Sequence, residues 1–333
     1  MLKGGLLGLG TIGKVHKSAY DRIMSERDDV KVEAYFDLCP ENFEGIENAR
    51  TYTDLDEFFE KEAANLDFVD ICLPTFMHKD VSIKAMNAGL NVICEKPMAL
   101  NYEDAQQMCK VAEETGKTLM VAHCVRFRLE LKKLKEYIDK EPLGKLVSVR
   151  YATCGRGLPN GQNNWFKNKA LSGGPIFDVS VHDVDNIQFL VGMPESLSAI
   201  ATPTGGESAY TAIAVNYQYK NGICVNLQSD WALPASKHNN GKTIRLNFEN
   251  GYVIYDAEKF VQVDAEGNIE NVEIKDDRNI SRANIYDEIT YFINCVKTGS
   301  RPEFCLPEDS AANIKIICSE IDSAEKKGER VIL

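Results

Sequence analysis

Two short stretches of the chain carry side chains suited to taking a proton and a hydride from an alcohol. Cys94-Glu95-Lys96-Pro97 closes an apolar run, which puts its lysine at a strand end. An ammonium group there donates hydrogen bonds to a hydroxyl and stabilises the negative charge that develops on its oxygen. The second stretch is residues 173–183, where Asp178 and His182 stand four apart on a predicted helix and share a face. Asp185 continues the polar stripe beside Phe177, Val181, Val184, Ile187 and Leu190. Histidine is the natural base near neutral pH, and a neighbouring carboxylate orients its ring and stabilises the imidazolium. Each stretch also has a plainer account. The first is an ordinary solvated turn; the second is a helix start capped by acids with one hydrogen-bonded histidine.

A hydride needs an acceptor, and the N-terminus offers a place for one. Gly8-Leu9-Gly10-Thr11-Ile12-Gly13 fits G-x-G-x-x-G between a predicted strand and a predicted helix. Gly8 permits the tight turn, Gly10 lets a pyrophosphate approach the backbone, and Gly13 allows close helix–strand packing. The helix start at Thr11 and Ile12 offers unpaired N–H groups and a positive dipole end to phosphates. Asp37 closes the second strand, where an acid accepts hydrogen bonds from the adenosine ribose and repels a 2′-phosphate. Leu38, Cys39 and Pro40 follow, with no Arg or Lys among them. The expected cofactor is therefore NAD rather than NADP. FAD is a weaker rival, and a glycine-rich turn without any cofactor is the plain alternative.

The elements that position these residues alternate in the first third of the chain. Strand-like runs at 5–9, 30–37, 68–73, 91–94 and 118–122 enclose helical patterns at 11–24, 55–64, 78–88 and 102–115. Two of these helices end at Gly89 and Gly116. That is the pattern of βαβ units around a parallel sheet. After residue 122 the pattern changes. A helix at 130–139 and a strand at 147–153 precede a Gly/Asn-rich loop at 155–164 and a helix at 176–191. Alternating strands follow at 209–219, 223–231, 243–248, 252–256, 260–264 and 269–274, the first two joined by the hairpin signal Lys220-Asn221-Gly222. Helices at 283–297 and 309–327 close the chain. The fold class expected is an α/β Rossmann domain over residues 1–122. An α+β domain with a large, mainly antiparallel open sheet follows over 123–333, its last helix packing back on the first.

Composition narrows the class of function. Of the 333 residues, 44% are hydrophobic and 26% charged, as in a globular protein. A net charge of −12 and a pI near 5.1 disfavour a nucleic-acid partner. No apolar stretch reaches membrane-spanning length, and the broken apolar run at 6–9 lacks a basic leader. The ten cysteines form no C-x-x-C pair and no Cys/His cluster at zinc spacing, so no metal site is expected. Cysteines such as Cys72 and Cys94, set inside buried-looking runs, suit a reducing cytoplasm.

Taken in order, Gly8-x-Gly10-x-x-Gly13, Pro74-Thr75-x-x-His78, Glu95-Lys96-Pro97 and Asp178-x-x-x-His182 resemble the motif set of the glucose–fructose oxidoreductase/inositol dehydrogenase/MocA-type (Gfo/Idh/MocA) family. The resemblance runs from about Lys3 to the C-terminus. It includes the turn Leu143-Gly144-Lys145 and the lead from Trp165 to Gly173-Gly174. It implies that Lys96, Asp178 and His182 are catalytic, with His182 taking the hydroxyl proton and Lys96 polarising the oxygen. It further implies that Glu95 contacts the nicotinamide-side ribose, and that Leu73, Pro74, Thr75 and His78 line the cofactor cleft. Arg126 and Trp165 resemble substrate-pocket positions; a surface cation and a loop anchor are the other accounts. Phe76 stands where the family motif often has Asn. The family implies a polyhydroxylated substrate and a homodimer or homotetramer built through the open sheet. The leading function is an NAD-dependent dehydrogenase of a sugar, inositol or related polyol. The alternatives are an NAD-retaining glycosidase and a catalytically silent nucleotide-bound sugar sensor.

Overall fold

The computed structural model describes all residues except 157–164, 166–167, 204–209, 234–240 and 257–258. In chain order its elements begin β1 (Leu2–Leu7), α1 (Thr11–Glu26), β2 (Val30–Phe36), β3 (Arg50–Tyr52), α2 (Leu55–Glu62), β4 (Phe68–Ile71), α3 (His78–Asn87), β5 (Asn91–Glu95), α4 (Tyr102–Thr115) and β6 (Leu119–Ala122). They continue α5 (Leu129–Lys140), β7 (Leu146–Arg156), α6 (Lys169–Ser172), α7 (Val181–Val191), β8 (Ser196–Pro203), β9 (Tyr210–Gln218), β10 (Cys224–Leu233) and β11 (Gly241–Phe248). Last come β12 (Gly251–Tyr255), β13 (Phe260–Asp264), β14 (Ile269–Asn271), α8 (Ala283–Thr298), α9 (Pro307–Glu325) and β15 (Val331–Ile332).

The chain divides into two compact units, Met1–Phe127 with Ile280–Ala311 and Arg128–Asn279 with Ala312–Leu333. This differs from the boundary at 122/123. The whole of α8 joins the first unit, and α9 is divided between the units at Ala311. The cause is the apolar face of α8. Ile285, Ile289 and Phe292 are buried in one cluster with Leu6, Tyr20, Phe68 and Ile93, and the Phe68 and Phe292 rings meet edge to face at 5.6 Å.

The first unit holds a six-stranded parallel sheet in the order β3-β2-β1-β4-β5-β6, the doubly wound arrangement of a Rossmann domain. Its register pairs Leu7 with both Phe36 and Ile71, and Ile71 with Cys94. The carboxyl ends of β1, β2, β4 and β5 therefore come level, and the residues that follow each of them share one edge. The first strand begins and ends earlier than the 5–9 run suggests, because Gly8 at φ +94° turns the chain out of extended backbone. The three-residue β3 carries too little apolar pattern to be read from sequence.

The second unit holds a nine-stranded sheet ordered β14-β13-β12-β11-β7-β10-β9-β8-β15, antiparallel except between β7 and β10. The expected hairpin joins β9 to β10, with Gly222 at φ +80° donating to Tyr219 O at 3.0 Å. Sequence reading passed over β8, where Ser, Ala and Thr fill most positions, and the two-residue β15. The helix expected at 176–191 is also not uniform: Ile176–Ser180 form a π-helical turn before α7. Helix α7 packs on β7 and β10 and buries Val181, Val184, Ile187 and Leu190.

Candidate active site

The glycine-rich loop is built as its sequence demands. A Cβ on Gly13 would lie 1.8 Å from Gly8 O, and one on Gly8 would lie 2.6 Å from Cys72 O. Gly10 is the opposite case, with nothing within 4 Å of the same probe atom. Gly10 is also the N-cap of α1, and no side chain caps the helix. An open approach to uncapped N–H groups at the start of a 16-residue helix fits a pyrophosphate.

Asp37 stands where β2 ends and closes the loop from the side. Its Oδ2 accepts the Leu9 N–H at 2.6 Å, and its Oδ1 accepts from Cys39 N at 2.8 Å and Asn42 Nδ2 at 3.0 Å. Leu38, directly after it, is exposed. These residues fit an NAD-type dinucleotide: a phosphate cradle, a fixed acid at the ribose position, and no basic residue in the three positions after that acid.

The residues after β4 and β5 are tied to each other. His78 is buried, with Nδ1 2.8 Å from Pro97 O and Nε2 2.8 Å from Leu73 O. It thus bridges the two strand ends from below, and its burial pulls its pKa down. Thr75 is buried as well, whereas Leu73 and Pro74 are half-exposed at the edge. Phe76 is exposed. Lys96 is half-buried and follows Glu95, whose Oε2 accepts the Lys96 N–H at 3.0 Å.

Sequence reading missed what lies beneath this edge. His16 of α1 is fully buried, with Nδ1 2.8 Å from Asp70 Oδ2 and Nε2 3.2 Å from Glu95 Oε1. Cys72 Sγ adds a contact to Asp70 Oδ1 at 3.4 Å. Ligand-type atoms of His16, Asp70 and Cys72 lie within 4.8 Å of one another. Both ring nitrogens already face carboxylates, and we read the group as a hydrogen-bonded ion network. The visible signal was Asp70 itself, one carboxylate inside the otherwise apolar strand Phe68–Ile71.

In the second unit, Asp178 lies in the π-helical turn and is buried, and His182 is half-buried in the first turn of α7. Asp183, next to His182, fastens that turn to the sheet. Its carboxylate accepts from Thr153 Oγ1 at 3.0 Å and from Ser229 Oγ, and it pairs with Lys242 Nζ at 3.4 Å. Burial pulls the Lys242 pKa down, but Tyr151 and Asp183 outweigh it and the net direction is upward.

The two expected pocket residues, Arg126 and Trp165, are each at least half-buried. Arg126 is 2% exposed, so it is no surface cation. Its guanidinium donates to Phe304 O at 3.0 Å and pairs with Asp309 at 3.4 Å, tying 124–127 to the returning segment of the same unit. Trp165 is half-buried and its carbonyl accepts from Asn168 N at 3.1 Å. Of the polar loop, Gly155 and Arg156 are the last residues of β7, and 157–164 lie outside the described residues. Among the described residues no helix is long and apolar enough to cross a membrane.

Comparison with known proteins bears on both units. Residues 2–123 match the family described as "Oxidoreductase family, NAD-binding Rossmann fold", and 131–254 match the "GFO/IDH/MocA C-terminal domain". The 2,7-anhydro-N-acetylneuraminate hydratase of Mediterraneibacter gnavus is 32% identical over 67% of this chain and 57% of its own length. The inositol 2-dehydrogenase of Rhizobium meliloti is 31% identical over 66% of this chain and 65% of its own. The matched stretch thus spans less than two thirds of either relative. An oxidoreductase from Agrobacterium radiobacter, solved with NAD+, L-tartaric acid and magnesium, superposes with a TM-score of 0.85 over 99% of this chain and 98% of that one, at 18% identity.

Proposed function

This chain belongs to the Gfo/Idh/MocA oxidoreductase family, and from that premise we propose that it is an NAD-dependent dehydrogenase of a secondary alcohol on a sugar, inositol or related polyol. The observation that carries the reading is the level edge of the parallel sheet, where the phosphate loop, Asp37 and the Glu95-Lys96 strand end come together within one unit. NAD, when bound, supplies the hydride acceptor. Gly10, Thr11 and Ile12 would hold its phosphates and Asp37 its adenosine ribose. Glu95 would meet the second ribose, with Leu73, Pro74, Thr75 and His78 shaping the wall.

The chain's own chemistry is proton transfer and charge stabilisation. His182 takes the hydroxyl proton at an imidazole nitrogen, Lys96 donates to the same oxygen as charge builds on it, and Asp178 orients the pair. The anchoring of Asp183 to β7 and β10 supports His182 in this role, because a general base must be held within hydrogen-bond reach of its proton. The reading requires Lys96 and His182 to serve one substrate oxygen. It also includes a cytoplasmic homodimer or homotetramer. The test is reduced-nicotinamide absorbance with NAD and a polyol panel. Lys96→Ala and His182→Ala are each expected to lower kcat by about a hundredfold or more while NADH still binds. No turnover on any polyol, or variants that turn over like wild type, would overturn the assignment.

A second reading is favoured by the hydratase relative: the same residues working on a substrate that is cleaved or hydrated with no net change in cofactor oxidation state. An NAD-retaining glycosidase is the form of this reading the sequence suggested. Product release from an anhydro-sugar or glycoside without NADH accumulation would select it.

A further inference from the structure

We propose that His16 is a positioning residue for the cofactor site: clamped between Asp70 and Glu95, it fixes the Glu95 carboxylate and, through it, the backbone at Lys96. The inference rests on the NAD-binding reading of the first unit and is independent of the substrate.

His16 lies three residues past Gly13, on the helix whose start faces the phosphates, and its side chain is fully buried. One ring touches both neighbouring strand ends. Nδ1 faces Asp70 Oδ2 on β4 at 2.8 Å, and Nε2 faces Glu95 Oε1 on β5 at 3.2 Å. A neutral imidazole has one N–H and satisfies one carboxylate; an imidazolium satisfies both. The two Glu95 oxygens are therefore divided, Oε1 to His16 and Oε2 to the Lys96 N–H at 3.0 Å. A carboxylate held at both oxygens cannot swing, so a ligand hydroxyl meets it in one orientation.

The charges around the ring agree. Burial pulls the His16 pKa down, but Asp70 and Cys72 outweigh it and the net direction is well upward. Burial pushes Glu95 up, but the bond and charge of His16, with Lys96 and His78 behind it, bring the net below the ordinary carboxylate range. Tyr20 on α1 also faces Asp70, and Glu288 on α8 faces Tyr20. Removing the imidazolium leaves Glu95 buried with less to keep it ionised, so its pKa rises.

The test is NADH affinity by nicotinamide fluorescence across pH 5–9, with melting temperature recorded for each protein. His16→Gln is expected to weaken NADH by about ten- to a hundredfold, with affinity falling further as pH drops and Glu95 takes a proton. Asp70→Asn keeps the fold's volume and weakens the imidazolium, so it should shift the acid limb of the binding profile in the same direction. A merely structural His16 would lower the melting temperature and leave the shape of the pH profile alone. His16→Gln or Asp70→Asn with the wild-type profile overturns the proposal, whatever the melting temperatures. Wild type that binds no NADH at any pH overturns the cofactor reading, and this inference with it.

Discussion

The Oδ2 of Asp37 accepts the backbone N–H of Leu9 at 2.6 Å, so the acid that ends β2 also holds the glycine-rich loop that follows β1. Its Oδ1 is shared between Cys39 N and Asn42 Nδ2, and Asn42 Oδ1 in turn accepts from Lys14 Nζ at 3.1 Å. Asp37→Ala is expected to weaken NADH by about tenfold or more. It should also narrow the NADH-over-NADPH preference, since the anion that repels a 2′-phosphate is gone while Lys14 stays nearby. Parallel titrations of the two reduced cofactors measure both effects. An unchanged preference would show that Asp37 acts on the loop alone.

The second and third glycines of the loop separate binding from packing. Gly13→Ala puts a methyl group 1.8 Å from a backbone oxygen, so loop or helix must move. A loss of about 1–3 kcal/mol is expected, with weakened NADH. Gly10→Ala meets nothing within 4 Å and its φ of −67° suits alanine, so stability should hold. NADH affinity should fall nonetheless, because the methyl stands where the phosphates approach. A Gly10→Ala protein that binds NADH like wild type would move the phosphate site elsewhere.

Much of this was legible in the sequence, and the gaps have physical causes. The phosphate loop, Asp37 and the Lys96 strand end could be read because each couples a local backbone demand to a neighbouring hydrophobic period. The two-domain fold and the mainly antiparallel second sheet followed from the same periods. What sequence hid depends on long-range contact. Ile280–Ala311 returns to the first unit because Phe292 finds Phe68 far back in the chain. His16 belongs to no motif read in the sequence, and only the fold sets Asp70 and Glu95 on its two nitrogens. Arg126 could pass for a surface cation in the sequence, and only the fold buries it and sets Phe304 and Asp309 against its guanidinium. A 3.6-residue period through 176–191 also gave no sign of the π-helical turn at Asp178.

Asp183 offers a stability test of the helix that carries His182. Both tryptophans, 165 and 231, lie in the second unit, so their fluorescence reports that unit's unfolding. Asp183→Ala removes an acceptor from Thr153 and Ser229 and leaves Lys242 without its carboxylate. Urea titration should show a loss of about 2–4 kcal/mol. Turnover should fall as well, through a less firmly seated α7. A loss below about 1 kcal/mol would mean that apolar packing alone seats the helix.

Glu320 supplies a pH-dependent prediction for the same unit. It is fully buried and accepts from the Tyr217 hydroxyl. Burial pushes its pKa up, the Tyr217 bond opposes this, and nearby Asp183 adds to the rise, leaving it at about 8. Below the ordinary value of 4.5, folded and unfolded chains both carry the proton. Between 4.5 and about 8 only the folded chain keeps it, so the unfolded state binds fewer protons and stability declines as pH rises. Above that window both states are ionised and the decline levels off. Glu320→Gln keeps an acceptor for Tyr217 and has no proton to lose, so its stability should be flatter from pH 5 to 8. Urea midpoints followed by tryptophan fluorescence should show wild type losing ground to the variant steadily across that range. Parallel curves for the two proteins would mean that Glu320 ionises at the same pH folded or unfolded, and that burial beside Asp183 does not hold its proton.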